Sequence, residues 1–248
     1  MKPREVIAVT GASRGIGASI AVKLARRGFT VGCLSRRGDG PNDADVEPEV
    51  ASRFVNISCD VTSEESVKHA FLTLTNEVGD LKGLVNNAGI HFDGPSSSFT
   101  NSDFNQIIAT NTTAVFAACR EAFPHLVAAG GGTIVNIGSF FDKLGVKRNL
   151  AYCASKAAVG AITRCLAVEW ASKGIRVLNV APGYIITDLN REELNKEPLQ
   201  GYLKSRIPVG APAPPEDVSR LVASIFSEEI PFLTGETIYI DGGQGIAH

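Results

Sequence analysis

Short runs of β-branched and apolar residues alternate along this chain with longer stretches of helical periodicity, and this alternation constrains the fold more than any other feature. We predict seven strands near 5–10, 30–35, 53–58, 82–86, 132–138, 174–180 and 236–241. A strand that leads through a helix into a parallel neighbour makes a right-handed crossover. The pattern therefore predicts an α/β fold, a doubly wound parallel sheet of about seven strands with helices on both faces.

Five stretches have helical periodicity, and two others break the repeating pattern. Helices are predicted near 15–27, 63–78, 101–128, 151–173 and 215–227. Residues 37–50 are rich in turn formers, so the crossover helix expected there is short or irregular. Residues 184–214 are longer than an ordinary connection. We interpret them as a substrate lid with one or two small helices at 192–204, the alternative being a plain surface excursion.

Composition and charge exclude several classes of protein. The 248 residues suit one domain spanning 1–248, and no linker divides them. A formal net charge of −2 gives no electrostatic reason to expect a nucleic acid or an anionic membrane as partner. The apolar run at 6–9 is too short for a signal peptide or a spanning helix, so a cytoplasmic location is expected. Five scattered cysteines without a C-x-x-C or Cys/His cluster predict reduced thiols and no metal site.

The turn after the first strand has the composition of a phosphate-binding loop. Its glycines allow backbone N–H groups to approach a pyrophosphate, and the N-terminus of the following helix adds a favourable dipole. The spacing is G-x-x-x-G-x-G, so it matches the G-x-G-x-x-G dinucleotide fingerprint in position rather than in spacing. The residues expected to bind a dinucleotide here are Gly11, Ser13, Arg14, Gly15, Ile16 and Gly17.

The end of the second strand indicates which dinucleotide binds. An NAD site has Asp or Glu there for the ribose 2′-OH, whereas a 2′-phosphate is bound by arginine. This strand ends in Ser35, Arg36 and Arg37, and Arg14 lies in the glycine loop nearby. Arginine pairs with phosphate and serine can donate a hydrogen bond to it. The sequence therefore favours NADP(H), the alternative being solvated arginines at a strand end.

A phenol and an ammonium group lie one helical turn apart in the segment Tyr152-Cys153-Ala154-Ser155-Lys156. A free phenol has a pKa near ~10 and is a poor acid or base at neutral pH. An ammonium four residues on lies on the same helix face, where it is expected to lower the pKa of the phenol. Ser139, upstream, can donate a hydrogen bond to a carbonyl oxygen. Taken alone, the Tyr/Lys pair is a weak signal, since most chance matches are a solvent-facing lysine beside a half-buried tyrosine.

These motifs occur in a characteristic order: the glycine turn, Asn87-Ala88-Gly89 after the fourth strand, Ser139 after the fifth, then Tyr152 and Lys156. In this respect the chain resembles the short-chain dehydrogenase/reductase family, in its single-domain branch, from about residue 5 to Gly243. Its C-terminal segment looks like that of the 3-oxoacyl-carrier-protein reductases in the family. The resemblance implies a Rossmann-type sheet of strand order 3-2-1-4-5-6-7 and an NADP(H)-dependent oxidoreductase that acts on a ketone or secondary alcohol.

The resemblance also implies roles for particular residues. Tyr152 is the general acid/base, Ser139 polarises the substrate oxygen, and Lys156 binds the nicotinamide ribose. Asn111 matches the asparagine that links the lysine to solvent in a proton relay. Further cofactor contacts are implied for Asp60, Val61, Asn87, Ala88, Gly89, Pro182, Gly183, Ile185 and Thr187. One departure is Leu178 where the family usually has asparagine, which here follows as Asn179.

Residues near the predicted catalytic groups are candidates for the substrate pocket. The predicted pocket is mainly apolar and aromatic, which suits a ketone of moderate size. Its residues are His91, Ser139, Phe140, Phe141, Leu144, Asn149, Tyr184 and Leu189. Lys143, Lys147 and Arg148 either attract an acidic or carrier-linked substrate or are solvated surface charges. A 3-oxoacyl thioester is one candidate, and the alternatives are sugar-alcohol, gluconate or hydroxysteroid dehydrogenases.

Two expectations concern the class of protein and its assembly. The alternative class is a non-catalytic NADP(H)-sensing protein, for which a damaged set of catalytic residues is expected, whereas here all four are present. The family resemblance implies a homotetramer or homodimer paired through helices 101–128 and 151–173, which are long and apolar.

Overall fold

The seven predicted strands are present and form one parallel sheet. The structure, a computed structural model, describes residues 4–42, 46–188, 190–194, 196–228 and 230–247. The strands are β1 (Arg4–Thr10), β2 (Thr30–Ser35), β3 (Phe54–Ser58), β4 (Gly79–Asn86), β5 (Gly132–Ile137), β6 (Ile175–Pro182) and β7 (Thr237–Ile240). Their order in the sheet is β3-β2-β1-β4-β5-β6-β7, which confirms the predicted Rossmann-type topology.

Helices cover both faces of the sheet because its central strands carry apolar side chains in both directions. They are α1 (Gly15–Arg26), α2 (Pro48–Ala51), α3 (Glu64–Glu77), α4 (Asn101–Ile108), α5 (Ala114–Ala128), α6 (Leu150–Trp170), α7 (Arg191–Leu194), α8 (Leu199–Arg206) and α9 (Pro215–Ser227). One buried cluster packs α3, α5 and α6 against the sheet through residues such as Phe71, Leu126 and Val159. A second packs α1 and α9 on the opposite face through Leu24 and Val222.

Both interruptions expected from the sequence are present. The crossover between β2 and β3 contains only the four-residue helix α2, as the turn-rich composition of 37–50 predicted. The stretch 184–214 contains two short helices, α7 and α8. Leu194, Leu203 and Ile207 pack there in a small apolar cluster of their own, together with Tyr184 and Ile186.

The helix predicted over 101–128 is not continuous. Between α4 and α5 the backbone makes one π turn, Ala109–Thr113. A π turn inserts a residue into an α-helix and is frequent at functional sites. Here it carries the fully buried Asn111, whose amide bonds both backbone polar groups of Ile90. Hydrophobic periodicity does not report such an insertion, because the flanking helices keep their own pattern.

A row of buried asparagines crosses the sheet beneath α6. Asn86, Asn136 and Asn179 are in register on β4, β5 and β6. Asn86 Nδ2 donates to Asn136 Oδ1 at 2.9 Å, and Asn136 Nδ2 donates to Thr163 Oγ1 of α6 at the same distance. Buried amides held in this way specify one arrangement of strand and helix. The row therefore fixes α6, which carries Tyr152 and Lys156, over the carboxyl end of β5.

Asn179 also explains the glycine that precedes Ser139. A Cβ added at Gly138 would lie 2.5 Å from Asn179 Oδ1. Because asparagine occurs at 179 rather than at 178, its amide lies against Gly138. We expect Gly138→Ala to lower the free energy of unfolding by about 1–3 kcal/mol through overpacking.

Urea denaturation of Gly138→Ala, Asn179→Ala and the double variant measures this coupling. The free energy of unfolding lost in the double variant should be smaller than the sum of the losses in the two single variants. The matched control is Gly145→Ala, since a Cβ at Gly145 meets nothing within 4 Å. If Gly138→Ala is no less stable than Gly145→Ala, the packing argument is wrong.

Candidate active site

The glycine turn lines a groove of about 620 Å³ at the carboxyl ends of β1, β2 and β4. Gly11 and Gly15 have φ values of +66° and +57°, a region that favours glycine. A Cβ at Gly17 would lie 2.2 Å from Gly11 O and 2.4 Å from Asn87 Nδ2, so this position excludes a side chain. The groove thus exposes backbone at the N-terminus of α1, as a diphosphate requires.

Thr10 and Asn87 hold this loop in place. Thr10 Oγ1 accepts hydrogen bonds from the backbone N–H groups of Asn87 and Ala88 at 3.0 and 3.1 Å. Asn87 Nδ2 donates to Thr10 O at 3.0 Å and to Gly11 O at 3.2 Å. Side-chain hydrogen bonds beneath the groove therefore join the end of β1 to the end of β4. Thr10 was not among the predicted site residues, although it directly precedes Gly11 of the glycine turn.

At the far end of the groove, the predicted phosphate-binding residues differ in their placement. Arg14 and Arg36 line the groove, and Ser35 lines it beside them. The Ser35 hydroxyl donates its proton to Asp39 O at 2.9 Å, so here it is not free to donate to a phosphate. Arg37 is turned away: its guanidinium is highly exposed and pairs with Asp39 at 2.7 Å. Two arginines rather than three therefore face this end.

Asp60 lines the same end of the groove, next to Val61. Its Oδ1 accepts from the Thr62 N–H at 2.9 Å and from the Thr62 hydroxyl at 2.7 Å. These bonds, together with the Arg36 charge, hold the pKa of the Asp60 carboxyl below its ordinary value. The carboxylate is therefore an ionised acceptor beside Arg36.

Ser139 and Tyr152 lie together where β5 ends and α6 begins. Ser139 is buried and caps the short 3-10 helix Phe140–Lys143, its Oγ accepting from the Phe141 N–H at 3.2 Å. Its hydroxyl proton remains available to another acceptor. Burial raises the pKa of the Tyr152 phenol to about 12, an effect that the adjacent Ser139 hydroxyl opposes. The phenol is therefore protonated at neutral pH.

The direction of that pKa change differs from the one expected from the sequence. Lys156 was expected to lower the pKa of the phenol, but its Nζ donates to Ile137 O at 2.7 Å and lies 5.7 Å from the centre of the Tyr152 ring. Lys156 is itself buried, and burial lowers its own pKa to about 8. Desolvation acts on both groups and favours the neutral form of each.

Asn111 connects this pair to the segment after β4. Its Oδ1 accepts from the Ile90 N–H at 2.8 Å, and its Nδ2 donates to Ile90 O at 2.9 Å and to Ser155 Oγ at 3.2 Å. Ser155 in turn donates to Tyr152 O at 2.8 Å. The side chain of Asn111 thus joins the π turn to the first turns of α6. Ser155, adjacent to Lys156, is a second residue that the sequence analysis overlooked.

Aromatic rings surround Tyr152. The His91 ring lies edge-on to it with 4.8 Å between centroids, and Phe141 lies perpendicular to it at 6.1 Å. Tyr184 contacts Phe141 at 6.2 Å and Phe140 at 5.6 Å. Phe140 is buried behind the other rings, so it supports this wall rather than facing the opening.

The remaining predicted residues lie in less direct positions. The side chain of Ile185 is in the core, and the backbone N–H of Gly183 bonds Ile240 O after Pro182. Thr187 lines the groove, but its hydroxyl donates to Asn190 Oδ1 at 3.2 Å. Leu144 is half-buried at the end of the 3-10 helix. Leu189 lies outside the described residues.

Sequence reasoning also missed part of the groove lining. These residues surround the predicted positions but carry no motif of their own, and they are Leu34, Cys59, Thr62, Ile90, Gln106, Ala109, Thr110 and Asp188. Gly89 and Ala88 line the groove as predicted. The five cysteines are free thiols, as predicted. Among the described residues, no group of acidic, histidine and cysteine side chains is suited to hold a metal ion, and no helix is long and apolar enough to cross a bilayer.

A glycine-rich loop at the carboxyl edge of a sheet of this topology defines a dinucleotide-binding α/β protein. Comparison with known proteins narrows the class. Residues 11–244 match the family model described as enoyl-(acyl carrier protein) reductase. The chain is 34% identical over 241 residues to the 3-oxoacyl-[acyl-carrier-protein] reductase FabG of Vibrio harveyi, covering 97% of each chain. It belongs to the short-chain dehydrogenase/reductase family of oxidoreductases.

Other relatives have different substrates in their names. The 3beta-hydroxysteroid dehydrogenase 1 of Eggerthella lenta is 32% identical over 243 residues, which cover 97% of this chain and 93% of that protein. A gluconate 5-dehydrogenase from Burkholderia cenocepacia, solved in complex with NADP and tartrate, superimposes with a TM-score of 0.88. It is 28% identical, and the match covers 100% of this chain and 97% of that one. Family membership therefore leaves the substrate open.

Proposed function

We propose that this protein is an NADP(H)-dependent oxidoreductase that interconverts a ketone and a secondary alcohol. The observation that carries the proposal is the convergence of the Ser139 hydroxyl, the Tyr152 phenol and the Lys156 ammonium, which Asn111 connects to Ile90 in the lining of the groove. When bound, NADPH supplies the hydride, and the chain supplies the proton and the positioning. The proposed catalytic residues are Asn111, Ser139, Tyr152 and Lys156.

Each group has a chemical task that its environment supports. The bond from the Phe141 N–H leaves the hydroxyl proton of Ser139 unused, and with it Ser139 would donate to the substrate oxygen and stabilise negative charge that develops there. Tyr152, protonated at neutral pH, transfers its proton to that oxygen as the carbonyl is reduced. Reduction therefore needs no prior ionisation of the phenol. Oxidation of the alcohol uses the same groups in reverse.

The residues of the groove fit a dinucleotide with a 2′-phosphate. Gly11, Gly15 and Gly17 would take the diphosphate at the N-terminus of α1, where the tight turn that these glycines allow leaves backbone N–H groups open to it. Arg14 and Arg36 would pair with the 2′-phosphate at the end of β2. The relatives solved with bound NADP support the same choice. Further contacts are proposed for Asp60, Val61, Asn87, Ala88, Gly89 and Thr187.

The proposal has further parts, of which the proton relay and the oligomeric state rest on the family resemblance, and the lid and the location rest on the sequence. The segment 184–214, with α7 and α8, acts as a substrate lid on the single domain. Asn111 joins a proton relay between Lys156 and solvent, and the amide bonds to Ile90 and Ser155 hold it at the required depth. The chain assembles as a homotetramer in the cytoplasm, which size-exclusion chromatography with light scattering tests directly.

The lowered pKa of Lys156 predicts how cofactor binding depends on pH. Its ammonium is present below about pH 8 and lost above it. If the ammonium donates to the ribose hydroxyls, the Kd for NADPH should rise above that pH by up to about tenfold per pH unit. Fluorescence titrations on either side of pH 8 measure this. Lys156→Met should bind weakly with a flat profile, and a flat profile in the unaltered protein would contradict the assignment.

Consumption of NADPH in the presence of a panel of ketones tests the function as a whole. We expect substrate-dependent loss of the near-ultraviolet absorbance of the reduced nicotinamide. The second candidate, a non-catalytic NADP(H)-sensing protein, would bind NADPH without turnover of any ketone. The presence of all four catalytic residues favours the enzyme.

A further inference from the structure

The surroundings of Tyr152 identify the kind of carbonyl compound that this site takes, provided that the function proposed above is correct. His91 and Phe141 both present rings edge-on or perpendicular to the Tyr152 ring, and Tyr184 extends the wall from Phe141 toward the lid. Flat apolar surfaces in this arrangement select planar partners, since aromatic pairs favour edge-to-face or offset contacts. The wall is therefore suited to a ring rather than to a flexible chain.

Two polar side chains beside Tyr152, His91 and Asn149, already bond to each other or to the backbone. His91 Nε2 bonds Asn149 Oδ1, and Asn149 Nδ2 donates to Lys147 O at 2.9 Å. A sugar acid needs a hydrogen-bond partner for each hydroxyl that it buries, because an unpaired buried hydroxyl costs free energy. The amide of Asn149 is engaged at both ends, so this side of the opening offers a polyhydroxy substrate little compensation.

The cations near the opening are engaged elsewhere. Lys143 Nζ lies 3.6 Å from the centre of the Tyr239 ring, on the β7 side of the 3-10 helix. Arg148 pairs with Asp93 at 2.8 Å, and its carbonyl accepts from the Gly94 N–H. Of the three cations that the sequence analysis considered for an acidic or carrier-linked substrate, two are therefore held by partners within the chain. Lys147 is exposed.

The lid adds apolar surface and no net charge. Leu194, Leu203 and Ile207 pack with Tyr184, which links the lid cluster to the aromatic wall. The segment 184–214 contains four acidic and four basic residues, so its charges cancel. An acidic carrier protein is attracted by a positive electrostatic field at the entrance of a site. The lid segment, which has no net charge, does not supply such a field.

We propose that the substrate is a neutral ketone whose carbonyl carbon is attached to, or part of, a flat apolar ring system. Its ring would lie against Phe141 and Tyr184 while the carbonyl oxygen meets Ser139 and Tyr152. Hydride is added to the carbonyl carbon, and the proton from Tyr152 to its oxygen, so the ketone becomes the secondary alcohol as NADPH becomes NADP⁺. Carrier-bound acyl groups and keto-sugar acids are then poor substrates.

The first test compares substrates on the unaltered full chain with NADPH. Acetophenone and tetralone represent ring ketones, the acetoacetyl thioester of pantetheine represents acyl substrates, and a ketogluconate represents sugar acids. We expect kcat/KM for the ring ketones to exceed that of the other two by about tenfold or more. If the thioester or the ketogluconate is reduced as well or better, this inference is overturned while the proposed function stands. If none of the compounds is reduced while NADPH still binds, both fail.

The second test changes the wall. Phe141→Ala should lower kcat/KM for acetophenone about tenfold more than it lowers kcat/KM for butanone, which has no ring. Phe232→Ala is the control, because it removes a fully exposed phenyl group outside the aromatic wall. An equal loss for acetophenone and butanone in Phe141→Ala would mean that Phe141 only supports the fold, and it would overturn the assignment of the wall.

Discussion

Tyr152→Phe should lower kcat for ketone reduction by about 10²- to 10⁴-fold, the range that a positioned general acid contributes. The substitution removes one hydroxyl oxygen and keeps the ring that packs against His91 and Phe141. Affinity for NADPH should stay within a few-fold of the unaltered protein, since the groove is lined by other residues. Steady-state kinetics and fluorescence titration with NADPH separate the two effects.

The matched control is Tyr202→Phe, which removes a phenol hydroxyl from an exposed side chain of α8. It should leave kcat within a few-fold of the unaltered value. Ketone reduction by Tyr152→Phe at a rate comparable to that of Tyr202→Phe would eliminate Tyr152 as the proton donor. A loss of NADPH binding in Tyr152→Phe would instead point to a structural defect, which a thermal unfolding curve would reveal.

Arg36→Asp should reverse the preference between the two nicotinamide dinucleotides. Arg36 lines the end of the groove and lies near Asp60, the pKa of which its charge helps to lower. A charge-assisted hydrogen bond to phosphate contributes about 1.5–3 kcal/mol. Its loss, with an added like charge, should raise the Kd for NADPH about 100-fold or more. The new carboxylate can accept from a ribose 2′-OH, so binding of NADH should improve.

Arg37→Asp makes the same change of charge one residue further on. Arg37 is exposed, pairs with Asp39 and does not line the groove, so its substitution should change the Kd for NADPH only a few-fold. Titration of both variants with both cofactors makes the comparison. If Arg37→Asp changes the Kd for NADPH more than Arg36→Asp does, or if neither variant changes the preference between NADPH and NADH, the NADP(H) assignment loses its structural basis.

Much of this fold could be predicted because its determinants are local. Strands such as β2 are buried in full, and strands buried on both faces have apolar runs that stand out from the amphipathic helices between them. The glycines at 11, 15 and 17 are required by backbone geometry and by close packing, which leave a direct signal in the sequence. Strand order followed from the family resemblance and not from these local patterns.

Other features depend on contacts that sequence spacing does not contain. The π turn is accompanied by hydrogen bonds between Asn111 and Ile90, which is distant in sequence. The pKa of Tyr152 follows burial rather than the charge of Lys156, because that ammonium is held by Ile137 O and is itself desolvated. Similarly, Arg37 forms an ion pair with the Asp39 carboxylate, and the Ser35 hydroxyl donates to Asp39 O. Both contacts depend on the conformation of the turn after β2, which residue spacing does not specify.

The most direct test of the account is transfer of an isotopic label. Acetophenone is incubated with the full chain and NADPH that carries deuterium at both hydrogens of the nicotinamide C4, and the product is examined by mass spectrometry. We predict one deuterium on the carbinol carbon of the alcohol, with the hydroxyl hydrogen derived from solvent by way of Tyr152, and no labelled alcohol above background with Tyr152→Phe. An alcohol without deuterium would contradict the central claim. So would the absence of any alcohol product when the protein, with NADPH bound, is tested with each ketone.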